Sequence, residues 1–525
     1  MWSLNSRDEL WSQLNHDWDV IVVGGGITGA GVLSLAVRAG LKALLLERRD
    51  FSWGTSSRST KLVHGGLRYL AQRQFSVTRD SVGERERLTR ELPGLVERIG
   101  FLMPIRRGAG PKRGSLAAGL AVYDAFAGRW DHEYVPTSAL LNQVPFLGQA
   151  SLAGGFRYTD SVTDDARLVL RIILEAVASG GQALNYVAAE ELLLGPDGHV
   201  AGVRARDMVT GRTSMLKAKT VINACGVWAD SLRAQVGGAA RLRPSRGSHL
   251  VFPAWRLPAA QAVTLVHPQD GRPVFVLPWE GAALAGTTDL DHSQSLDEEP
   301  RMASEETDYI LQALNAHLAG LQLSPTDALC SFAGVRPIVG TGKGDPAKES
   351  RAHVVLEEHG LVTVVGGKLT TFRLMALDAL AKTTRIFPQL SGSLSDLPVL
   401  ESLPAVSAQG RHREREWLRR LQGRYGSAAG ALLSAAEPGD FLPIEGTQSR
   451  WAELRWSARR EAVVHLEDLM LRRVRLGLLL PRGGLPILDR IRGVVQQELG
   501  WDDRQWNLEA DAYAATWEAA YSVPS

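Results

Sequence analysis

The sequence predicts an α/β protein: a nucleotide-type domain built on a parallel sheet, interleaved with a mixed antiparallel β-sheet domain and followed by a C-terminal helical domain. Three observations predict it. A strand, glycine turn and helix open the chain over residues 18–47, and a second strand-Gly-Gly-helix unit stands far downstream at Gly366 and Gly367. The stretch between them alternates like paired strands. Beyond about residue 410 the helical pattern has no strand signal of comparable strength beside it.

The opening unit is WDVIVVGGGITGAGVLSLAVRAGLKALLLE. Its β-branched run at 20–23 stops at Gly24, Gly25 and Gly26, and helical spacing restarts at Ile27 and ends at Gly40. Gly24, Gly26 and Gly29 make the G-x-G-x-x-G spacing of a Rossmann-like fold: one glycine turns the chain, one admits a pyrophosphate, one lets helix and strand close together. Phosphates would then meet the positive end of the helix dipole. A short strand over 42–46 ends in Glu47, at the distance where an acid reaches the hydroxyls of an adenosine ribose. The competing reading is a glycine-rich turn in some other α/β domain.

At 525 residues the chain has room for roughly three domains. Its composition is that of an ordinary globular enzyme, 45% hydrophobic and 22% charged with a formal net charge of +2, and nothing in it points to nucleic acid. Two cysteines, Cys225 and Cys330, are too few for a disulfide framework or a cysteine-based metal site, and both read as inert core residues in a reducing, cytoplasmic setting. The first residues carry acids and no apolar core of signal-peptide length, so no secretory signal is expected. No apolar run approaches the roughly 18 residues of a membrane-spanning helix. Residues 101–130, however, place Arg106, Arg107, Lys112 and Arg113 just before a mostly apolar stretch. That pattern suits a peripheral contact with an anionic membrane surface, or a solvated basic loop leading into a core helix.

Residues 51–70, FSWGTSSRSTKLVHGGLRYL, are too rich in hydroxyls and glycines for a core element and read as a ligand-lining loop. Residues 75–99 have helical periodicity with Arg and Glu spaced to pair along one face, a surface helix. Strands follow within 154–292, including two around the turn GPDG and one running into a sharp turn at Cys225 and Gly226. A helix over 304–319 and the strand SFAGVRPIVG come next, and then the second strand-Gly-Gly-helix unit, with Thr370 or Thr371 as the helix cap. The domain division read from this order is a discontinuous nucleotide domain within 17–388 (about 17–105, parts of 150–250, and 330–388). A substrate domain takes about 106–149 and 240–330. A connection at 389–409 leads to the helical domain at 410–525, in which EAVVHLEDLMLRRVRLGL is the clearest amphipathic run.

Eight segments together resemble the FAD-dependent, respiratory-type glycerol-3-phosphate dehydrogenases, within the glycine/D-amino-acid oxidase-like flavoproteins. They are VVGGGITGAG, TSSRSTKLVHGGLRYL, YTDSVTDDARLVL, INACGVWAD, RGSHLVF, FVLPWEG with GTTDLD, GVRP and GGKLTTFR, in the family's order. HGGLRYL with GVRP and GGKLTT is far more specific than the dinucleotide fingerprint. The chain departs from the family at Cys225, where Thr or Ala is usual, and in the Gly/Lys-rich loop after Arg336. The resemblance implies FAD held by Gly24, Gly25, Gly26, Gly29, Glu47, Thr55, Ser56, Ser57, Lys61, Leu62, Val187, Gly226, Gly367, Lys368, Leu369 and Thr370. It also implies a helix N-terminus facing the flavin, oxidation of sn-glycerol 3-phosphate to dihydroxyacetone phosphate, and transfer of electrons to a membrane quinone at the inner face of the cytoplasmic membrane. A second copy of the chain is a further expected partner.

Oxidising a secondary alcohol needs an electron sink, a base for the hydroxyl proton and positive charge near the forming ketone. His249 and His64 are the candidate bases, because histidine titrates near neutral pH. Arg336, a permanently charged fork, and Lys368, a point charge, suit the substrate oxygen. A phosphate ester needs clustered cations, for which Arg68 and Tyr69 are the natural proposal and Arg351 a further one. Three other outcomes stay open at this point: an oxidase that uses oxygen, an amine or amino-acid oxidase, and a flavin-bound protein without catalysis.

Overall fold

Six residues rich in valine and isoleucine form the first strand, β1 (Trp18–Val23), with Val20, Ile21 and Val22 fully buried. In the computed structural model, which describes residues 4–108, 110, 112–340, 352–392, 394–401 and 412–524, this strand is the centre of a parallel sheet. It is followed by α1 (Ile27–Arg38), whose apolar face is buried, and by β2 (Ala43–Leu46). The remaining parallel strands come from far along the chain: β3 (Gln182–Leu184), β4 (Thr213–Asn223) and, after β5 (Leu242–Pro253) and β6 (Cys330–Val339) of a second sheet, β7 (Leu361–Gly366). The order is β7-β4-β1-β2-β3, with Val20 opposite both Ala43 and Thr220, and Val221 opposite Leu361. The helix α2 (Phe372–Ala381) crosses α1 at Gly31, where an added Cβ would come within 2.9 Å of the Phe372 ring. The expected α/β class is therefore present, its sheet split by intervening segments.

Those segments build the second, mostly antiparallel sheet. β5 pairs along its length with β6, placing Ser245 opposite Arg336 and His249 opposite Phe332, and on its other side with Ala282–Gly286. Residues 75–99 are not one helix. The helix ends at Glu91, ahead of Pro93 and Gly94, and Val96–Arg106 is a strand paired with Leu152–Thr163. Proline removes an amide donor and glycine weakens helix, so charge spacing overrode a clear stop signal.

The C-terminal region is helical and shares a core with the second sheet: Leu469, Met470, Leu478 and Trp517 pack in one cluster with Phe101, Leu284 and Phe332. The run read as amphipathic is buried on all sides from Asp468 onward. It forms a π-helical turn, Asp468–Arg473, and a short helix, Leu476–Leu479, with Arg472, Arg473 and Arg475 inaccessible to solvent. Asp50 of the first domain accepts from Arg472 Nε (2.5 Å) and from Arg473 Nη1 and Nη2 (2.6 and 2.8 Å). Charge pairing across a domain contact hides these arginines, which is why their charges mimicked a solvent face. Leu390, Leu394, Val399 and Leu400, in the segment read as a connection, are buried in the nucleotide-domain core. Among the described residues no helix is long and apolar enough to cross a membrane.

Candidate active site

A single cavity of about 1490 Å³ runs between the two sheets, from Glu47 and Ala188–Glu190 at one end to His249, Arg336 and Lys368 at the other. Small-molecule pockets are typically about 300–1,000 Å³, so this one has room for a dinucleotide and a small substrate together.

At the first end the glycines do what their spacing asks. Gly24 has φ +112°, and a Cβ there would lie 2.6 Å from the Ala224 carbonyl; a Cβ at Gly29 would lie 1.9 Å from the Gly24 carbonyl. Gly26 caps α1, and the Ile27 N–H donates to Ser56 Oγ at 2.9 Å. Glu47 Oε2 accepts from the Gly25 N–H (2.6 Å) and Oε1 from the Arg49 N–H (2.8 Å), which fixes the carboxylate at the cavity wall. Burial raises its pKa above the ordinary carboxylate value against the pull of those two N–H groups. A cradle that only glycine fits, a helix N-terminus and a fixed acid suit an adenine dinucleotide.

Of the residues expected along the cofactor, Gly24, Gly26, Glu47, Thr55, Ser56, Leu62, Gly226, Gly367, Lys368, Leu369 and Thr370 line the cavity. Four do not. Gly25 lies in the turn and Gly29 in the first turn of α1, both behind the wall, and Val187 contributes its N–H to the Glu47 carbonyl (2.7 Å) while Ala188 and Ala189 form the surface. Lys61 points away into the protein, its Nζ 2.6 Å from the Ser57 carbonyl and 2.9 Å from both Asp165 oxygens. Burial brings that ammonium down to about 7, with Arg475 adding repulsion. Ser57 is likewise buried, its carbonyl taken by Lys61 and Arg475. A hydroxyl-rich loop also has a back face, whose partners are distant in sequence, and Lys61 and Ser57 lie on it. Arg351 lies outside the described residues.

Thr370 and Thr371 do not cap α2 with their side chains. A 3₁₀ turn, Leu369–Thr371, precedes the helix, and Thr370 Oγ1 instead accepts from the His64 N–H at 3.2 Å, tying the two site loops together. Cys225 reaches the cavity wall, contrary to its expected core position; burial pushes its thiol up to about 12, so it stays protonated.

Farther along, the cations and histidines line the cavity in two groups, Arg68, Tyr69 and Lys368 near His64 and Arg336 near His249. Arg68 lies 5.9 Å from the Tyr69 ring centre and pairs with no carboxylate among the described residues; Lys368 Nζ lies 4.4 Å from the same ring and donates to Ser81. Arg336 is held by Thr287 Oγ1 (3.0 Å) and Asp289 Oδ1 (3.2 Å). His249 stacks on Phe332 at 4.8 Å, and its Nε2 meets Thr60 Oγ1 at 2.9 Å. Burial, then Arg336 and Lys61, hold the His249 pKa well below 6.5. Burial brings His64 down to about 4, with Lys368, Arg68 and Arg85 working against Asp160. Both imidazoles are therefore neutral at pH 7 and able to accept a proton. Sequence reasoning missed Thr60, which sits inside the quoted loop, and Thr287 and Asp289, which sit in GTTDLD.

Gly247 shows how tightly Arg336 is placed: a Cβ there would fall 2.0 Å from Arg336 Nη2. Because that atom ends a flexible side chain, Gly247→Ala should displace the guanidinium more than it harms the fold. The expected result is a loss of roughly 10²-fold in kcat/KM, with the thermal midpoint within about 2 °C of wild type. Unchanged kinetics would mean that the position of Arg336 does not matter.

A glycine cradle joined through one cavity to a cluster of cations and neutral histidines defines a dinucleotide-dependent oxidoreductase. Residues 19–373 match the family model "FAD dependent oxidoreductase", and residues 382–506 match "C-terminal domain of alpha-glycerophosphate oxidase". The chain is 35% identical to a glycerol-3-phosphate dehydrogenase of Mycobacterium leprae, over 98% of this chain and 90% of that one. It is also 35% identical to an aerobic glycerol-3-phosphate dehydrogenase of Staphylococcus epidermidis, over 89% and 88%. The crystal structure of a Bacillus halodurans glycerol-3-phosphate dehydrogenase complexed with FAD is 28% identical and superimposes with a TM-score of 0.79 over 99% and 98% of the two chains. The chain belongs to the FAD-dependent glycerol-3-phosphate dehydrogenase family, and its cofactor is FAD.

Proposed function

We propose that the protein oxidises sn-glycerol 3-phosphate to dihydroxyacetone phosphate and passes the electrons to a membrane quinone. The observation that carries this reading is that one cavity is lined both by His64 with Arg68 and Lys368 beside it and by His249 with Arg336 beside it. Arg68, beside Tyr69, binds the phosphate dianion, with Arg351 as a further proposed cation. Arg336 and Lys368 place positive charge against the carbinol oxygen and favour its change to a ketone. His249 takes the hydroxyl proton, and His64 is the alternative base. FAD, when bound, supplies the acceptor for the electron pair leaving the carbon.

Two features support an apolar acceptor at a membrane surface. Phe75 and Val122, 51% and 38% exposed, line the cavity mouth near Leu67 and Leu70, and the helix Arg113–Ala127 that carries Val122 follows the basic stretch at 106–113. On this reading the protein lies peripherally on the cytoplasmic face of the membrane, as one copy or two. The match of residues 382–506 to the oxidase C-terminal domain favours oxygen as the second reading of the acceptor.

The test is an anaerobic spectrum of the holoenzyme. Addition of sn-glycerol 3-phosphate should bleach the flavin band, and a quinone analogue should restore it. Restoration by oxygen alone, with stoichiometric peroxide, would make the protein an oxidase. A band unchanged by substrate would overturn the substrate assignment and move an amine or amino-acid oxidase forward.

A further inference from the structure

Residues 292–300, HSQSLDEEP, leave the second sheet and cross to the first domain, where Leu296 and Asp297 join Arg48, Arg49 and Trp53 in the cavity wall. The tip and the root of this segment are held very differently. At the tip, Asp297 Oδ1 meets Arg48 Nη2 at 2.6 Å, with the two side chains 69% and 44% exposed, and the Asp297 carbonyl accepts from Arg49, whose guanidinium lies 3.9 Å from the Trp53 ring centre. At the root, Glu299 pairs with the buried Arg58, and Tyr521 Oη donates to Glu299 Oε1 at 2.7 Å. Arg58 also donates to Tyr521 Oη at 3.2 Å and to the Trp53 carbonyl. Tyr521 is itself docked on β6, its carbonyl accepting from the Ser331 N–H at 2.8 Å.

We propose that residues 292–300 are a cofactor-retaining strap over the nucleotide end of the cavity, and that the Arg58–Glu299–Tyr521 cluster is the latch that holds its root. Exposed ion pairs are weak and screened by salt, whereas hydrogen bonds to a buried charge are strong. The tip is thus the part that opens, and the latch sets how far the opening spreads. A tyrosine contributed by the C-terminal region thereby acts on FAD through Glu299, as a positioning residue that never touches the cofactor.

The test uses holoenzyme diluted into flavin-free buffer, with FAD release followed by the fluorescence of the freed flavin at low and high salt. Asp297→Ala should speed release about threefold at low salt. Tyr521→Phe should speed it about tenfold, and the double variant no further than Tyr521→Phe alone. Wild-type release should quicken with salt while Asp297→Ala release does not. Three results would overturn the proposal: unchanged release from Tyr521→Phe, single effects that simply multiply in the double variant, or wild-type release indifferent to salt.

Discussion

His249→Gln is expected to lower kcat about 10³-fold while FAD stays bound, the scale on which a positioned base contributes to proton removal. The geometry behind this is a ring fixed on three sides. Phe332 covers one face, Thr60 holds Nε2, and Gly286 leaves so little room that a Cβ there would touch Cδ2 at 2.5 Å. The pH dependence has a definite sign. Because Arg336 and Lys61 help burial to hold the imidazole pKa well below 6.5, kcat/KM should stay flat from neutral pH downward until that depressed pKa is reached. Arg336→Leu removes one of the repelling charges, so the pKa of His249 rises and the acid limb moves to higher pH, in addition to the loss of rate. Thr60→Val should lower kcat less than His249→Gln, and Thr60→Ser should restore most of the loss. A His249→Gln variant within tenfold of wild type would transfer the role of base to His64.

The second large effect is on stability. Asp50→Ala leaves Arg473 buried with no carboxylate among the described residues, while Arg472 keeps Glu467 and Asp468, and an uncompensated buried charge costs about 3–5 kcal/mol. Denaturant unfolding should show that loss. Adding Arg473→Leu should recover part of it, since an apolar replacement of a buried pair is often nearly neutral. Burial would raise the carboxyl pKa, but Arg473 and Arg472 outweigh it and bring the group down to about 2 from 3.8. The unfolded chain takes up the proton first, so the contribution of Asp50 is complete above about pH 4 and disappears as pH falls toward 2. A loss below about 1 kcal/mol in Asp50→Ala would show that solvent reaches the arginines.

These two residues mark how much could be read from the sequence. His249 lies in a short motif whose strand carries it to the cavity wall, and Gly24, Gly26 and Gly29 state a local backbone requirement in residue type alone. Such features are legible because cause and effect lie within a few residues. The burial of Arg472, Arg473 and Arg475 depends on Asp50 and Asp165, hundreds of positions away, and nothing near them distinguishes a buried arginine from a solvated one. Lys61 failed for the same reason: its partner is Asp165, and the cavity is on the other side of its loop. The helix expected over 75–99 differs for another reason: Pro93 and Gly94 are a local stop signal, and the charge spacing runs straight across them. Thr60 and the 292–300 segment gain their meaning only from what the fold places opposite them.

The split parallel sheet has a consequence for how the protein assembles. β1, α1 and β2 are contiguous, but the other edge of β1 is covered by β4, and β4 in turn by β7. A folding chain must therefore close very long loops before its first strand is paired on both sides, and topologies dominated by such distant pairings fold slowly. The wall opposite Gly24 is supplied by Ala224, at the end of β4, so the pyrophosphate cradle does not exist until that late pairing is made. Flavin capture should accordingly come at the end of folding, as the step that traps the finished sheet, and not as its nucleus.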